Sequence, residues 1–522
     1  MKCPGERTQQ SGNYVWRALR AVRSVDRVKS TQTTRIASRG ALAIGACVQL
    51  ALAGCGPSAE PGNTPPAQTW SKTASTALDV PQPDGWDADL ALAEAVDRNP
   101  DPGVVEIDLE AKLAEVEFLP GTKTLAWTYN GTVPGPLIRA HVGDRVVVHF
   151  KNSLPAATTI HWHGIRVPNA MDGAPGMTQP AIESGATFEY DFVAKDAGTY
   201  WYHPHTDSSA QVGQGLYGAI VVEDPNDPKE FGDDLVLVVS DAGLTETGEF
   251  VPPDSGGNFG DLFGREGSVV LVNGKSHPTL KVRSGKQQRW RIINASRARY
   301  FSVGLRDHRF VRLGGDNGLA ARSEDVYSLK ITPGERADAV FTPVDEPGST
   351  RTLYWSPVNR GYGTEFARAR EPLLQIETVD LPPVTPAVIP TELRTIDPLD
   401  ITGATERTIN LTIALRNNQV EMGFDGIPFS KSIPAVAHIG ETQIWRIVNG
   451  TDFSHPFHLH GYFFQVLDDS RVPEWKDTVD VPTKSELRIA IAFDERPGMW
   501  MFHCHILDHA EVGMMGHLHV LP

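Results

Sequence analysis

The chain repeats itself, and that repeat limits its fold more than any other feature. Gly143-Asp-Arg-Val-Val-Val-His-Phe-Lys-Asn152, Gly285-Lys-Gln-Gln-Arg-Trp-Arg-Ile-Ile-Asn294 and Gly440-Glu-Thr-Gln-Ile-Trp-Arg-Ile-Val-Asn449 each run from Gly to Asn over the same nine-residue step. Each follows a short alternating stretch (137–142, 280–283 and 434–439) and, before it, a turn dipeptide: Asn130-Gly131, Asn273-Gly274 or Asp425-Gly426. Offsets of 142 and 155 residues fit one domain per repeat. Alternation such as Phe188-Glu-Tyr-Asp-Phe192, together with 48 Gly and 39 Pro, predicts strands rather than helices. The expectation is an all-β chain of three consecutive Greek-key β-sandwich domains at 103–225, 226–385 and 386–522. One helix is predicted ahead of the first repeat, from Asp87 to Asn99.

Histidine carries the chemistry. Four His-x-His pairs stand at 161/163, 203/205, 458/460 and 503/505. The last pair encloses Cys504, with His509 and Met514 following and His455 upstream. On a strand, alternate side chains face opposite ways, so Cys504 should point away from His503 and His505. One Cys, two His and a later Met are a blue-copper donor set. Zinc fits less well: eight imidazoles are too many for one ion, and one cysteine is too few for a structural zinc site. The pairs recur at matching places in repeats one and three. His161-Trp-His-Gly164 corresponds to His458-Leu-His-Gly461, and Tyr202-His-Pro-His205 to Phe502-His-Cys-His505. Repeat two has neither pair, so the histidines are not needed to fold the unit. The economical arrangement packs the first domain against the third around a shared metal cluster.

These motifs resemble those of the three-domain multicopper oxidases, the bacterial laccase-like proteins, over about residues 103 to 522. The resemblance implies cupredoxin-like domains, four copper ions and reduction of O2 to water. By motif, His455, Cys504, His509 and Met514 look like the ligands of one type 1 copper, and His161 and His458 like those of one type 2 copper. His163, His203 and His505 would hold one type 3 copper, and His205, His460 and His503 the other. A Met axial ligand implies a low to middle potential within the family, which favours phenols, aromatic amines or metal ions as reductant. Asp172, eleven residues after His161, matches a family acid near the type 2 copper and is read as a proton relay. Many bacterial relatives have Glu directly after the second type 1 histidine, where this chain has Ala510; Glu511 is the nearest substitute. Trp475-Lys-Asp477 matches a family segment and is read as structural support for the ligands.

Charge and the N-terminus bound the partners. Residues 1–54 carry nine Lys/Arg against two Asp/Glu, so the rest of the chain carries −23 against −16 for the whole. So acidic a body argues against nucleic acid. A basic stretch leads into a short apolar run from Ala41 to Ala51, which reads as a signal segment over 1–54. Leu52-Ala-Gly-Cys55 resembles a lipobox, so Cys55 would carry the lipid anchor and 55–102 would form a flexible linker. Cys3 and Cys47 would be removed with the signal, leaving no pair for a disulfide. The expected protein is an exported monomer, periplasmic or at the cell surface, with O2 and a small-molecule or metal-ion reductant as its partners. Two alternatives stand beside the laccase-like reading. One is a cuprous or other metal oxidase serving copper tolerance, although only eight Met occur and none cluster away from the copper motif. The other is a sandwich scaffold that has lost its copper.

Overall fold

The computed structural model describes residues 76–361, 369–468 and 470–522, so Cys3, Cys47, Cys55 and the signal segment lie outside the described residues. Among the described residues, six sheets pair off in sequence order. Strands between Val104 and Glu223 make two four-stranded sheets, and those between Asp233 and Thr378 a six- and a five-stranded sheet. Those between Thr405 and Leu521 make two five-stranded sheets. Each pair of sheets closes on its own apolar core, around Trp162 and Tyr190 in the first, Trp290 and Trp355 in the second, and Trp445 and Phe502 in the third. These are three cupredoxin-like sandwiches, as the repeat predicts.

The repeated residues do the same work three times. The repeat strands Arg145–Asn152, Gln288–Asn294 and Thr442–Asn449 each run parallel to the first strand of their sandwich, opposite Val104, Asp233 and Thr405. The preceding dipeptides are tight turns with both residues at positive φ, as at Asn130 (53°) and Gly131 (88°). The closing asparagine is buried each time, and its amide ties the end of the repeat strand to two main-chain oxygens further along its own sandwich. Asn152 donates to Ala156 O and Ile182 O, Asn294 to Arg299 O and Ile331 O, and Asn449 to Phe453 O and Val481 O. That is why Asn, with two donors on one nitrogen, ends all three repeats.

The predicted helix from Asp87 to Asn99 does not form. Leu90 N and Ala91 N both bond Asp87 O, giving one turn. Beyond it the backbone pairs with the strand Gly135–His141: Leu137 N donates to Ala93 O, and Ala95 N to Leu137 O. Sheet pairing satisfies those backbone groups, and burial of Leu90 in the second core fixes the turn. Among the described residues, no helix is long and apolar enough to cross a membrane.

Candidate metal centre

The outer sandwiches present their histidines in the same way. In the first, the strand His161–His163 lies antiparallel to Gly198–His203, with His161 opposite His203. In the third, His455–Leu459 lies antiparallel to Gly498–Cys504, with His458 opposite His503. His205, His460 and His505 follow just past the strand ends. All eight rings are buried and meet across the two sandwiches. His161 stacks on His460 and His163 on His458, each with ring centres 3.8 Å apart.

One nitrogen of most rings is tied to the protein, which turns the other inward. His161 Nδ1 donates to Asp172 O (2.8 Å), His458 Nδ1 to Asp477 O (2.9 Å), His203 Nδ1 to Pro204 O (3.0 Å) and His503 Nδ1 to Cys504 O (2.9 Å). His460 Nδ1 is held by Asp172 Oδ2 (2.9 Å) and His163 Nε2 by Asp477 Oδ1 (3.1 Å). Inside, His161 Nε2 faces His458 Nε2 at 3.5 Å, while His503 Nε2 lies 3.1 Å from His460 Nε2 and 3.4 Å from His205 Nε2. The rings of His163, His203 and His505 form a third group, with centres 4.9 to 5.8 Å apart. His163 Nδ1, His203 Nε2 and both nitrogens of His505 are buried without a hydrogen-bond partner. Buried lone pairs in that state are costly unless a cation takes them. Burial also pushes the pKa of His163, His203, His205, His460, His503 and His505 well below the ordinary value, which keeps them neutral, the form that binds metal.

Cys504 faces the other way, into the core of the third sandwich. Its Sγ lies 3.5 Å from His455 Nδ1 and 3.6 Å from His509 Nδ1, and those two nitrogens are 3.1 Å apart. Such edges suit three donors each about 2.0 to 2.3 Å from one ion, the usual N and S ligand lengths. Met514 is fully buried in the same core, and its main-chain oxygen accepts from Cys504 N at 3.0 Å. Burial pushes the Cys504 thiol far up and brings His509 down to about 3, so a thiolate at this depth requires a bound cation. The opposite edges of the two rings are occupied: His455 Nε2 meets Thr451 Oγ1 at 2.9 Å, and His509 Nε2 meets Leu262 O at 3.2 Å. Leu262 belongs to a helix of the second sandwich, Asn258–Phe263.

The acids fall into two groups. Asp172 and Asp477 are buried against the imidazoles. Burial would raise both carboxyls, but His460 and His161 bring Asp172 well below the usual range, and Arg336 and His163 do the same for Asp477. Glu511 touches no imidazole. It lies exposed at the end of the helix Leu507–Glu511, where its carboxylate accepts from Ser208 Oγ (3.1 Å), three residues past His205. Burial of the carboxyl group itself pushes its pKa up. Sequence reasoning missed Asp508, which is buried and accepts from Ser209 Oγ (2.9 Å), Arg265 N (2.7 Å) and Arg297 Nη2 (2.7 Å). It joins residues of all three sandwiches beside the Cys504 site, and only the fold brings them together.

Three cupredoxin-like sandwiches, a thiol with two imidazoles and eight converging histidines define a copper oxidoreductase. The chain belongs to the multicopper oxidase family. Family models described as multicopper oxidase match residues 110–227, 247–372 and 394–522. The chain is 31% identical over 429 residues to multicopper oxidase MmcO of Mycobacterium tuberculosis, covering 74% of this chain and 81% of that protein. It is 27% identical over 471 residues to a laccase of Bacillus subtilis, with coverage of 75% and 89%. A solved multicopper oxidase from Campylobacter jejuni, described as a metallo-oxidase, superposes with a TM-score of 0.74 at 29% identity over 83% of this chain and 94% of that one. The protein is therefore an enzyme with four coppers, one type 1, one type 2 and a type 3 pair. It couples oxidation of a reducing substrate to reduction of O2 to water.

Proposed function

We propose that His455, Cys504, His509 and Met514 hold the type 1 copper, and His161 and His458 the type 2 copper. His163, His203 and His505 hold one type 3 copper, and His205, His460 and His503 the other. Bound copper supplies one-electron chemistry at the sulfur site and dioxygen chemistry at the histidine cluster. One observation carries the reading. His503 and Cys504 are neighbours on one strand, with the imidazole against His460 and His205 and the sulfur against His455 and His509. A single peptide unit thus joins the two sites. The test is a copper count on reconstituted protein with O2 uptake from phenols, aromatic amines, Cu(I) and Fe(II). Full loading with no uptake from any donor would overturn the proposal.

Asp172 serves as the proton relay of the cluster, supported by its carboxylate on His460 and its main-chain oxygen on His161. Glu511 serves as the second acid, reaching inward through Ser208. The reductant is of broad laccase type, a phenol or aromatic amine. A metal-ion oxidase is the second reading, favoured by one observation: His455 and His509 are buried, and the Leu262 carbonyl covers the outer nitrogen of His509. A small ion needs less room there than an aromatic ring. Relative kcat/KM on Cu(I) and on a simple phenol decides between them.

The proposed domain limits are 103–225, 226–385 and 386–522, supported by the extents of the sheets, with a signal at 1–54. Of the expected flexible linker at 55–102, residues 76–102 are packed instead: Leu90 enters the second core, and Ala93 and Ala95 bond Leu137. The enzyme is exported as a monomer and anchored at Cys55 in the periplasm or at the cell surface. The basic and apolar N-terminal pattern and the Leu-Ala-Gly-Cys55 motif support this. Cys55→Ser should release active enzyme from the membrane fraction.

A further inference from the structure

The middle sandwich lacks the metal motif, yet one of its side chains reaches the cluster. Arg336, on the strand Arg336–Phe341, is fully buried, and all five of its N–H groups are used. Nη1 and Nη2 grip both carboxylate oxygens of Asp477, the former at 2.8 Å. Nε donates to Thr199 O (2.9 Å), Nη1 also to Gly334 O (2.9 Å) and Nη2 also to Asp316 O (2.8 Å).

Three of these contacts lead to a ligand. Asp477 holds His163 through its carboxylate and His458 through its main-chain oxygen. Thr199 lies on the strand that ends in His203. Gly334 packs so closely on His505 that a Cβ there would come within 2.8 Å of the ring. The approach is as tight on the His163 side, where a Cβ at Gly164 would fall 2.4 Å from Arg336 Nη2. The guanidinium therefore touches the supports of His163, His203 and His505 together, with residues from all three sandwiches.

We propose that Arg336 is a positioning residue. It fixes His163, His203 and His505 as one ligand set, and His458 beside them, by clamping Asp477 to the backbones of Thr199 and Gly334. This is what the middle sandwich contributes to the cluster, and it rests on the ligand assignment above. Lysine cannot take its place. An ammonium has three donors and no planar fork, so it keeps the charge and loses the clamp.

The test is copper retention against a graded chelator, read beside the visible band of the Cys504 site. Arg336→Met should keep that band at full strength while the remaining coppers are held at least about tenfold more weakly. Arg336→Lys should fail to restore them. Wild-type retention in Arg336→Met overturns the proposal, as does full rescue by Arg336→Lys, which would mean that charge alone suffices. If Arg336→Met does not fold because Asp477 is left unpaired, the double variant Arg336→Met with Asp477→Asn removes the stranded charge and is judged by the same readout. Failure of the ligand assignment looks different: His163→Ala and His458→Ala would then keep the wild-type copper count.

Discussion

Asp172 and Asp477 mirror one another across the histidine cluster. Each accepts from one imidazole of its own sandwich through its main-chain oxygen, His161 for Asp172 and His458 for Asp477. Each accepts from an imidazole of the opposite sandwich through its carboxylate, His460 and His163 respectively. The mirror breaks at Arg336, which grips Asp477 alone. One carboxylate is locked in place, while the other is held only by imidazoles. Asp172→Asn keeps an oxygen for His460 but removes the charge and the proton site. Turnover should fall about 10²- to 10⁴-fold with all four coppers retained. Full turnover in that variant would reduce Asp172 to an orienting group, and loss of copper would show that its charge is needed for loading.

Cys504→Ser separates the two sites. The hydroxyl is a harder and weaker ligand than a thiolate, so the strong visible band should vanish and O2 uptake should drop to background. The histidine cluster shares no ligand atom with the sulfur site, so three coppers should remain. Circular dichroism should be unchanged, because one oxygen replaces one sulfur in an intact core. Turnover that survives the change would put the donor's electrons on some other path into the cluster.

How far the sequence was legible depended on the separation of the cooperating residues. The three-sandwich plan could be read because each repeat is local: one turn, one strand and one Asn that ties the strand's end to nearby main chain. The eight cluster histidines and Cys504 stood out because strand spacing keeps each pair together within three residues. Asp477 could be marked as support but not matched to His163, which lies 314 residues earlier. Arg336 carried no signal, since its partners are main-chain oxygens and an acid 141 residues away. Residues 87 to 99 were misread for the same reason: their backbone partners lie on the strand Gly135–His141, beyond any local pattern.

Acid should unfold the copper-free protein well before the loaded one. In the fold, burial keeps His163, His203, His205, His455, His460, His503 and His505 from taking up protons, and His509 does so only at about 3. In the unfolded chain the same groups protonate near 6.5. Below that pH the unfolded state binds more protons, so stability is full above about 6.5 and is lost as the pH falls. Each histidine that stays neutral steepens the loss by up to about 1.4 kcal/mol per pH unit. Thermal scans of copper-free protein from pH 7 to 5 should show a steep drop in midpoint, with a much smaller one after loading. A flat profile for the copper-free protein would mean that these rings already reach water.

The asparagine that closes each repeat should matter to stability and not to copper. Asn152 is the cleanest case, because its partners are backbone groups of the first sandwich away from the ligands. Its amide donates to Ala156 O at 2.9 Å and Ile182 O at 2.8 Å, and its oxygen accepts from Leu154 N at 3.0 Å. Asn152→Ala removes three hydrogen bonds; Leu154 N is left buried without that acceptor, at a cost of about 1 to 3 kcal/mol, while Ile182 O keeps its bond from Thr158 N and Ala156 is exposed to water. A loss of about 1 to 3 kcal/mol is expected in denaturant unfolding, read from the first transition because a chain of three domains need not unfold in one step. Copper count and visible band should match wild type in the folded variant. A change below about 0.5 kcal/mol would show that the surrounding strands hold their register without the clamp, and that Asn at the end of each repeat serves the turn alone.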